Sequence, residues 1–198
     1  AILSVNAAAV ARTDHEFVIQ FAIPGSGVRT IRPVSPLPEI RLRNLGQLTI
    51  SGRTQNGFSG TPLIELNGEQ AGIANGLHIG GGDVTVRAMT INRFQGHGIH
   101  VQVADPLANG STRASLTVEG CWIGLTADGL SAAGNTGSGI SLNQDNGSAY
   151  SRIGGRGAED GNVISGNGGS GISFTARDSA DYYEFTASGV VMEQNFVG

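Results

Sequence analysis

The residues best suited to chemistry are a histidine held between two glycines and a scatter of carboxylates. Gly96-His97-Gly98 puts an imidazole in a tight turn, where it could act as a general acid or base if a carboxylate stood beside it. Glycoside hydrolysis needs two carboxyl groups about 5–9.5 Å apart. The acidic residues Asp83, Glu119, Asp128 and Asp145 are instead spread along the chain, and none is paired near His97. Glu159-Asp160 is the one adjacent pair, and it reads as a solvated turn before Gly161. A calcium ion would need oxygen ligands gathered from several such positions. The expectation is therefore no cofactor, with Ca²⁺ the one ion these carboxylates would suit. His78 and His100 alternate with apolar neighbours and read as exposed strand residues. Cys121 is alone in an apolar run from Leu116 to Leu125 and reads as a buried, inert thiol.

A second group of residues points to binding. His97 sits at the variable position of a repeated phrase, Gly-x-Gly-Ile-x-apolar, matched by Ser138 and Ser170. Its isoleucines are Ile99, Ile140 and Ile172, hence 41 and 32 residues apart. After each copy comes a polar excursion, at 102–112, 143–151 and 175–183. Stacked strands would bring the three onto one edge, as a wall with Asp105, Arg113, Asp145, Tyr150, Arg152, Arg177, Asp178, Asp181, Tyr182 and Tyr183. Aromatic rings beside Arg and Asp suit sugars: rings stack on the apolar sugar face while charged groups bind hydroxyls or carboxylates. Asn109-Gly110-Ser111 and Asn146-Gly147-Ser148 fit glycosylation acceptors, although Asn-Gly is equally a turn signal.

Composition narrows the partners. The 198 residues carry a formal net charge of −4, with twelve arginines and no lysine. No basic cluster forms, so nucleic acid is not an expected partner. No apolar run approaches the roughly 18 residues of a membrane-spanning helix. No signal peptide is visible, and a chain that begins at Ala1 is expected to have been trimmed.

The elements that must position these residues are short strands. Ala-rich residues 1–10 predict a moderately amphipathic helix ending near Ala11. Strands are predicted at 30–34, 39–42, 48–51, 63–66, 76–79 and 84–91, with Gly80-Gly81-Gly82-Asp83 as a break. The 32 glycines suit a chain that turns every few residues. Self-similarity at a fixed period predicts units that bury their apolar faces only by stacking. Asn135, Asn162, Asn167 and Asn195 would then be turn residues sharing amide hydrogen bonds. The expected fold is all-β, a single-stranded right-handed parallel β-helix (a solenoid) with a short N-terminal capping α-helix. One domain would span 1–198, with the cap at 1–12 and the coils at 15–198. A β-sandwich is the alternative architecture for such strands, but it gives no reason to repeat one turn phrase.

Several phrases resemble bacterial right-handed parallel β-helix proteins of the broad pectate-lyase-like group. They are Ile31-Arg32-Pro33, the run from Leu48 to Gly68, Val86 to Phe94, Trp122 to Gly129, and Ile153-Gly154-Gly155 with Asn162 to Asn167. The resemblance implies a fold and carries no chemistry. Polygalacturonases share that fold and contain Gly-His-Gly, but their pattern also needs an upstream Asn-x-Asp, an Asp-Asp pair and a downstream Arg-x-Lys, and this sequence has no Asn-x-Asp before Gly96, no Asp-Asp and no lysine. Pectate lyases need an acidic Ca²⁺ cluster and a base, which these scattered carboxylates do not supply in sequence.

The expected function is a non-catalytic extracellular or surface module, secreted or on a bacterial cell surface, that binds polysaccharide along the three-loop wall. The alternatives are a polysaccharide lyase or glycoside hydrolase, and a fragment of a larger adhesin. The final residues 190–198 stop inside what reads as another repeat, so end-to-end self-association through that coil, or a cut chain, is also expected.

Overall fold

Alanines without glycine favour helix, and Ile2–Ala11 forms α1. Val5 and Ala9 are buried while Leu3 is exposed, so the helix is apolar around its circumference rather than amphipathic as expected. Asn6 ties it down. Its Nδ2 donates to Glu39 O (2.7 Å), and Arg41 N–H donates to its Oδ1 (3.0 Å). These bonds satisfy the Glu39 carbonyl and the Arg41 N–H, on the free edge of a two-residue strand at Ile40–Arg41. An apolar cavity of about 320 Å³ lies between α1 and the strands, lined by residues such as Ile2, Ile19, Phe21 and Leu37. The molecule is a computed structural model that describes residues 1–11, 16–42, 46–102, 114–143, 151–175 and 189–198.

The strands are β1 (Glu16–Gln20), β2 (Arg29–Ile31), β3 (Ile40–Arg41), β4 (Gln47–Ser51), β5 (Ile64–Asn67), β6 (Leu77–Arg87), β7 (Met89–Asn92) and β8 (Ile99–Gln102). They continue as β9 (Ala114–Glu119), β10 (Trp122–Ile123), β11 (Ile140–Asn143), β12 (Ser151–Gly154), β13 (Val163–Ile164), β14 (Ile172–Thr175), β15 (Val190–Glu193) and β16 (Phe196–Val197). All named strand pairs are parallel, in two sheets. A six-stranded sheet runs β16-β13-β10-β7-β5-β2. A ten-stranded sheet runs β14-β11-β8-β6-β9-β12-β15, with β4 joining β1 to β6 and β3 joining β6.

The expectation of a single-stranded right-handed β-helix solenoid is corrected by this arrangement. The strands assort into two parallel sheets, and the larger is curled into a half-barrel. The cause lies in β6. Gly80-Gly81-Gly82, read from sequence as a break, is instead strand, so eleven residues run continuously through the bend. The start of β6 pairs with β3 and β8, and its end pairs with β4 and β9, so one strand joins both halves of the sheet. Glycine is required at the bend: Gly82 has φ +89°, and a Cβ there would strike the Leu42 side chain. The true break falls at Ala88, which takes φ +51°.

The core sits where the sheets face each other. In-register stacks of aliphatic side chains build it: Ile50, Val86, Val118 and Ile153 in one, Leu66, Ile91, Ile123 and Ile164 in another, Ile79, Val101 and Leu142 in a third. All of these are buried, each worth about 1.5–3 kcal/mol relative to exposure. The next residues in the three stacks, Met192, Val197 and Phe174, are about half exposed (53%, 53% and 47%).

The more deeply buried of two carboxylates, Glu65 and Glu119, is held by several donors. Glu65, 5% exposed, accepts from Thr30 Oγ1 (2.6 Å) and Asn92 Nδ2 (2.9 Å), with Arg93 at 3.9 Å. Burial alone would push its carboxyl up, but these donors outweigh burial and hold it below the usual carboxylate value of 4.5. A depressed folded value means stability that is present above the unfolded pKa and lost as pH falls through the folded one. Glu65→Gln should therefore flatten the acid limb of stability. Urea midpoints at about pH 7 and about pH 3.5 should converge more closely in the variant than in the wild type. An equal acid loss in both would remove Glu65 from the cause.

Candidate functional site

The half-sheet β3-β6-β8-β11-β14 presents a polar outer face built by strand alternation. On β8, Ile99 and Val101 point into the core while His100 and Gln102 point out. Register then lines up His78, His100, Ser141 and Ser173 across four strands, and beside them Gln102, Asn143 and Thr175. At about 4.8 Å per strand the longer row spans roughly 14 Å.

Three imidazoles gather at one end. The His78 and His100 rings lie 5.2 Å apart between centroids, and His97 stacks on His100 at 5.1 Å with planes 23° apart. His97 is held by its turn: its N–H donates to Asn75 Oδ1 (2.8 Å), and its Nδ1 accepts from Ser138 N–H (2.9 Å). Nδ1 is therefore the bare nitrogen of the neutral ring. His100 Nε2 lies 3.1 Å from Gln102 Oε1. Burial, and then the charge of His100, hold His97 below the ordinary histidine value of 6.5. Burial also lowers His78, opposed by Glu39 and assisted by His100 and Arg41. Glu39 pairs with Arg41 at 2.7 Å and sits over Gly80, where a side chain would collide with it. His78 Nε2, His100 Nδ1, Glu39 Oε1 and Asn143 Oδ1 are shut from solvent without a partner.

The histidines thus differ from their sequence reading. His78 and His100 are half-buried and stacked rather than simply exposed, and His97 holds one turn to the next as well as filling a repeat position. A signal was available. Gly76-Leu77-His78-Ile79 and Gly98-Ile99-His100-Val101 are the same phrase, and aligning them gives the observed register.

The carboxylates expected for chemistry are engaged locally. Asp83 accepts from Ser115 Oγ (2.6 Å), Glu119 pairs with Arg87 (2.8 Å), and Asp128 bonds Thr126 and the Leu130 N–H. Asp160 pairs with Arg53 (2.8 Å) and accepts from Gly157 N–H, so Glu159-Asp160 is a tied turn. Among the described residues no group of three or more His, Cys, Asp or Glu is arranged to hold a metal ion. Burial pushes the Cys121 thiol up to about 12, which leaves it inert.

Of the expected wall, Asp105, Arg113, Asp145, Tyr150, Arg177, Asp178, Asp181, Tyr182 and Tyr183 lie outside the described residues. Arg152 is described, in β12, where it pairs with Glu193 at 2.7 Å. The roots of the three excursions are described too. Gln102, Asn143 and Thr175 are direct register neighbours, and they form the shorter polar row of the half-sheet. Among the described residues no helix is long and apolar enough to cross a membrane.

No protein-family model, no curated protein and no solved structure matches this chain. The resemblance to the pectate-lyase-like group is therefore corrected as well. The phrases behind it mark short strands, Asn turns and glycine bends, which any stacked parallel sheet would need.

Proposed function

We propose that this chain is a non-catalytic binding module for polysaccharide, secreted or displayed on a surface. The observation that carries this reading is the pair of polar rows on the half-sheet, which ends at the roots of the three polar excursions. An extended ligand rich in hydroxyls is matched by an extended row of mixed donors and acceptors, here His, Ser, Asn, Gln and Thr. A rigid sheet that holds such groups at a fixed repeat gives up little conformational freedom on binding. The excursions would add the aromatic and charged groups of the second wall, from Asp105 to Tyr183. With a net charge of −4 and no basic row, nucleic acid is a poor match.

Binding to immobilised neutral and acidic oligosaccharides tests the reading. The wild type should bind at least one class. Gln102→Ala with Asn143→Ala should weaken that binding about tenfold, the loss expected from two hydrogen bonds of ordinary strength. Tyr182→Ala with Tyr183→Ala should weaken it by a similar factor through lost stacking. Equal binding by the wild type and both variants would remove the site from this face. Release of new reducing ends would replace a binding module with an enzyme.

A further inference from the structure

We propose that Asn56 is a site of spontaneous covalent modification in the folded protein, where the side-chain amide is lost to water and the link to Gly57 becomes aspartyl or isoaspartyl. The chain contains six Asn-Gly pairs, beginning at Asn56, Asn67, Asn75, Asn109, Asn146 and Asn167. Such a pair is the least hindered setting for this reaction, because glycine has no Cβ to shield its nitrogen. Asn109 and Asn146 lie outside the described residues. The structure separates the other four.

The nucleophile is the backbone nitrogen of the glycine. After giving its proton to solvent, it attacks Cγ of the asparagine. The new N–Cγ bond closes a succinimide ring, the Cγ–Nδ2 bond breaks, and ammonia leaves. Water then opens the ring at either carbonyl, giving aspartate or, with the chain rerouted through the side chain, isoaspartate. One water is consumed and one ammonia released, with no change in oxidation state.

A glycine N–H that already donates is held away from this attack. Gly68 N–H donates to Asn92 O (2.9 Å), Gly76 N–H to His97 O (2.9 Å) and Gly168 N–H to Asn135 O (2.8 Å). The asparagine amides beside them are engaged as well. Asn67 Oδ1 accepts from Glu69 N–H (3.1 Å), Asn75 Oδ1 accepts from His97 N–H (2.8 Å), and Asn167 Nδ2 donates to Ile123 O (3.0 Å). These three pairs react only after the local structure opens.

Asn56-Gly57 is built differently. Both residues are exposed, and they are the central two of a turn closed by Phe58 N–H donating to Gln55 O (3.1 Å). Among the described residues the Asn56 side chain, the Asn56 carbonyl and the Gly57 N–H make no hydrogen bond. A Cβ on Gly57 would meet only the Leu63 side chain, at 3.7 Å. The peptide unit between the two residues can therefore rotate without breaking a bond, which carries the nitrogen to Cγ. The turn also keeps its reactive pair, since Gly57 takes φ +88°.

The modification lands beside an anchor. Gln55 is 2% exposed, and its side chain accepts from Ile23 N–H (2.9 Å) and donates to Ile23 O (2.8 Å). Either product adds one negative charge to the formal −4, and isoaspartate also lengthens the backbone between this anchor and Phe58. The exposed isoaspartyl carboxylate is the chemistry that a methyltransferase using S-adenosylmethionine would esterify.

The test is to age the intact chain in mildly alkaline buffer, cleave it after arginine, and locate the modified residue by fragment-ion mass spectrometry. Asn56, Asn67 and Asn75 all lie on the one peptide between Arg53 and Arg87, so they compete within a single molecule. In the folded chain Asn56 should convert at least about tenfold faster than Asn67, Asn75 or Asn167, the protection expected for hydrogen-bonded groups in a stable fold. In concentrated urea the four should react within about threefold of one another, since the structure that separates them is gone. An isoaspartyl methyltransferase with labelled S-adenosylmethionine should mark the same peptide of the aged chain. Asn56→Gln should remove both early signals and leave the melting temperature unchanged. Conversion in the folded chain that is even across the four sites, or first at Asn67, Asn75 or Asn167, overturns the proposal. So does an Asn56 that stays intact in the folded chain while the urea-unfolded chain reacts.

Discussion

Asn162→Ala should destabilise the fold by about 2–5 kcal/mol, because it orphans two buried backbone groups at once. Asn162 has no solvent exposure. Its Nδ2 donates to Val118 O (2.9 Å) and to Asn195 Oδ1 (2.8 Å), and its Oδ1 accepts from Cys121 N–H (2.8 Å). Alanine leaves Val118 O and Cys121 N–H without partner or water, and each such loss costs about 1–3 kcal/mol. Asn195→Ala should cost less, because Asn195 is only half-buried, so water can reach the groups it would leave behind more readily than at Asn162. Urea unfolding followed by circular dichroism reads both values. A loss below about 1 kcal/mol for Asn162→Ala would mean that water or backbone adjustment replaces the amide.

Phe94→Ala is the second large effect, expected at about 3–5 kcal/mol. The ring is 1% exposed, the largest of the fully buried side chains. It fills space that two glycines leave open: a Cβ on Gly68 would strike the ring, and one on Gly76 would lie 3.1 Å from it. Around it the chain is fastened at both ends, with Phe94 N–H donating to Asn135 Oδ1 (3.0 Å) and Phe94 O accepting from Thr136 N–H (2.8 Å). Alanine would leave a cavity that these bonds prevent from closing. Phe94→Leu should recover part of the loss, and Gly68→Ala should reproduce much of it from the opposite side of the contact. Denaturant midpoints with unchanged slopes are the expected signature. A Phe94→Ala variant within about 1 kcal/mol of wild type would show that the turn collapses onto the void.

The asparagines behind the first effect are informative by type alone, whereas nothing in the sequence marks Phe94 as the plug between two glycines. Asn135, Asn162, Asn167 and Asn195 stood out as turn residues able to share amide bonds, and the pairs Asn135–Asn167 and Asn162–Asn195 do so. The first helix and most of the short strands were equally legible, since alanine runs and alternating β-branched residues act locally. The grouping of strands into sheets was not. It depends on what Gly80-Gly81-Gly82 does, and three glycines are compatible with a break or with a bend in a continuous strand. Only the pairing of β6 with four neighbours decides for the bend.

The candidate site was hidden for a related reason. Each histidine in its own strand is an ordinary outward residue, and the row exists only through register. His78 and His100 are 22 residues apart, against 41 and 32 for the copies of the phrase that were noticed. The wall residues were found by type, but all except Arg152 fall outside the described structure, and Arg152 is engaged by Glu193.

The parallel register also separates the length of the chain from its alignment. Between β8 and β9, β11 and β12, and β14 and β15 the connections run to 11, 7 and 14 residues, while the strands on either side remain matched residue for residue. Insertions and deletions at that corner are invisible to the core, whereas a single added residue within a strand would turn every later side chain to the wrong face. The corner is thus the place where descendants of this sequence can diverge in length, and where a foreign peptide could be grafted without disturbing the fold.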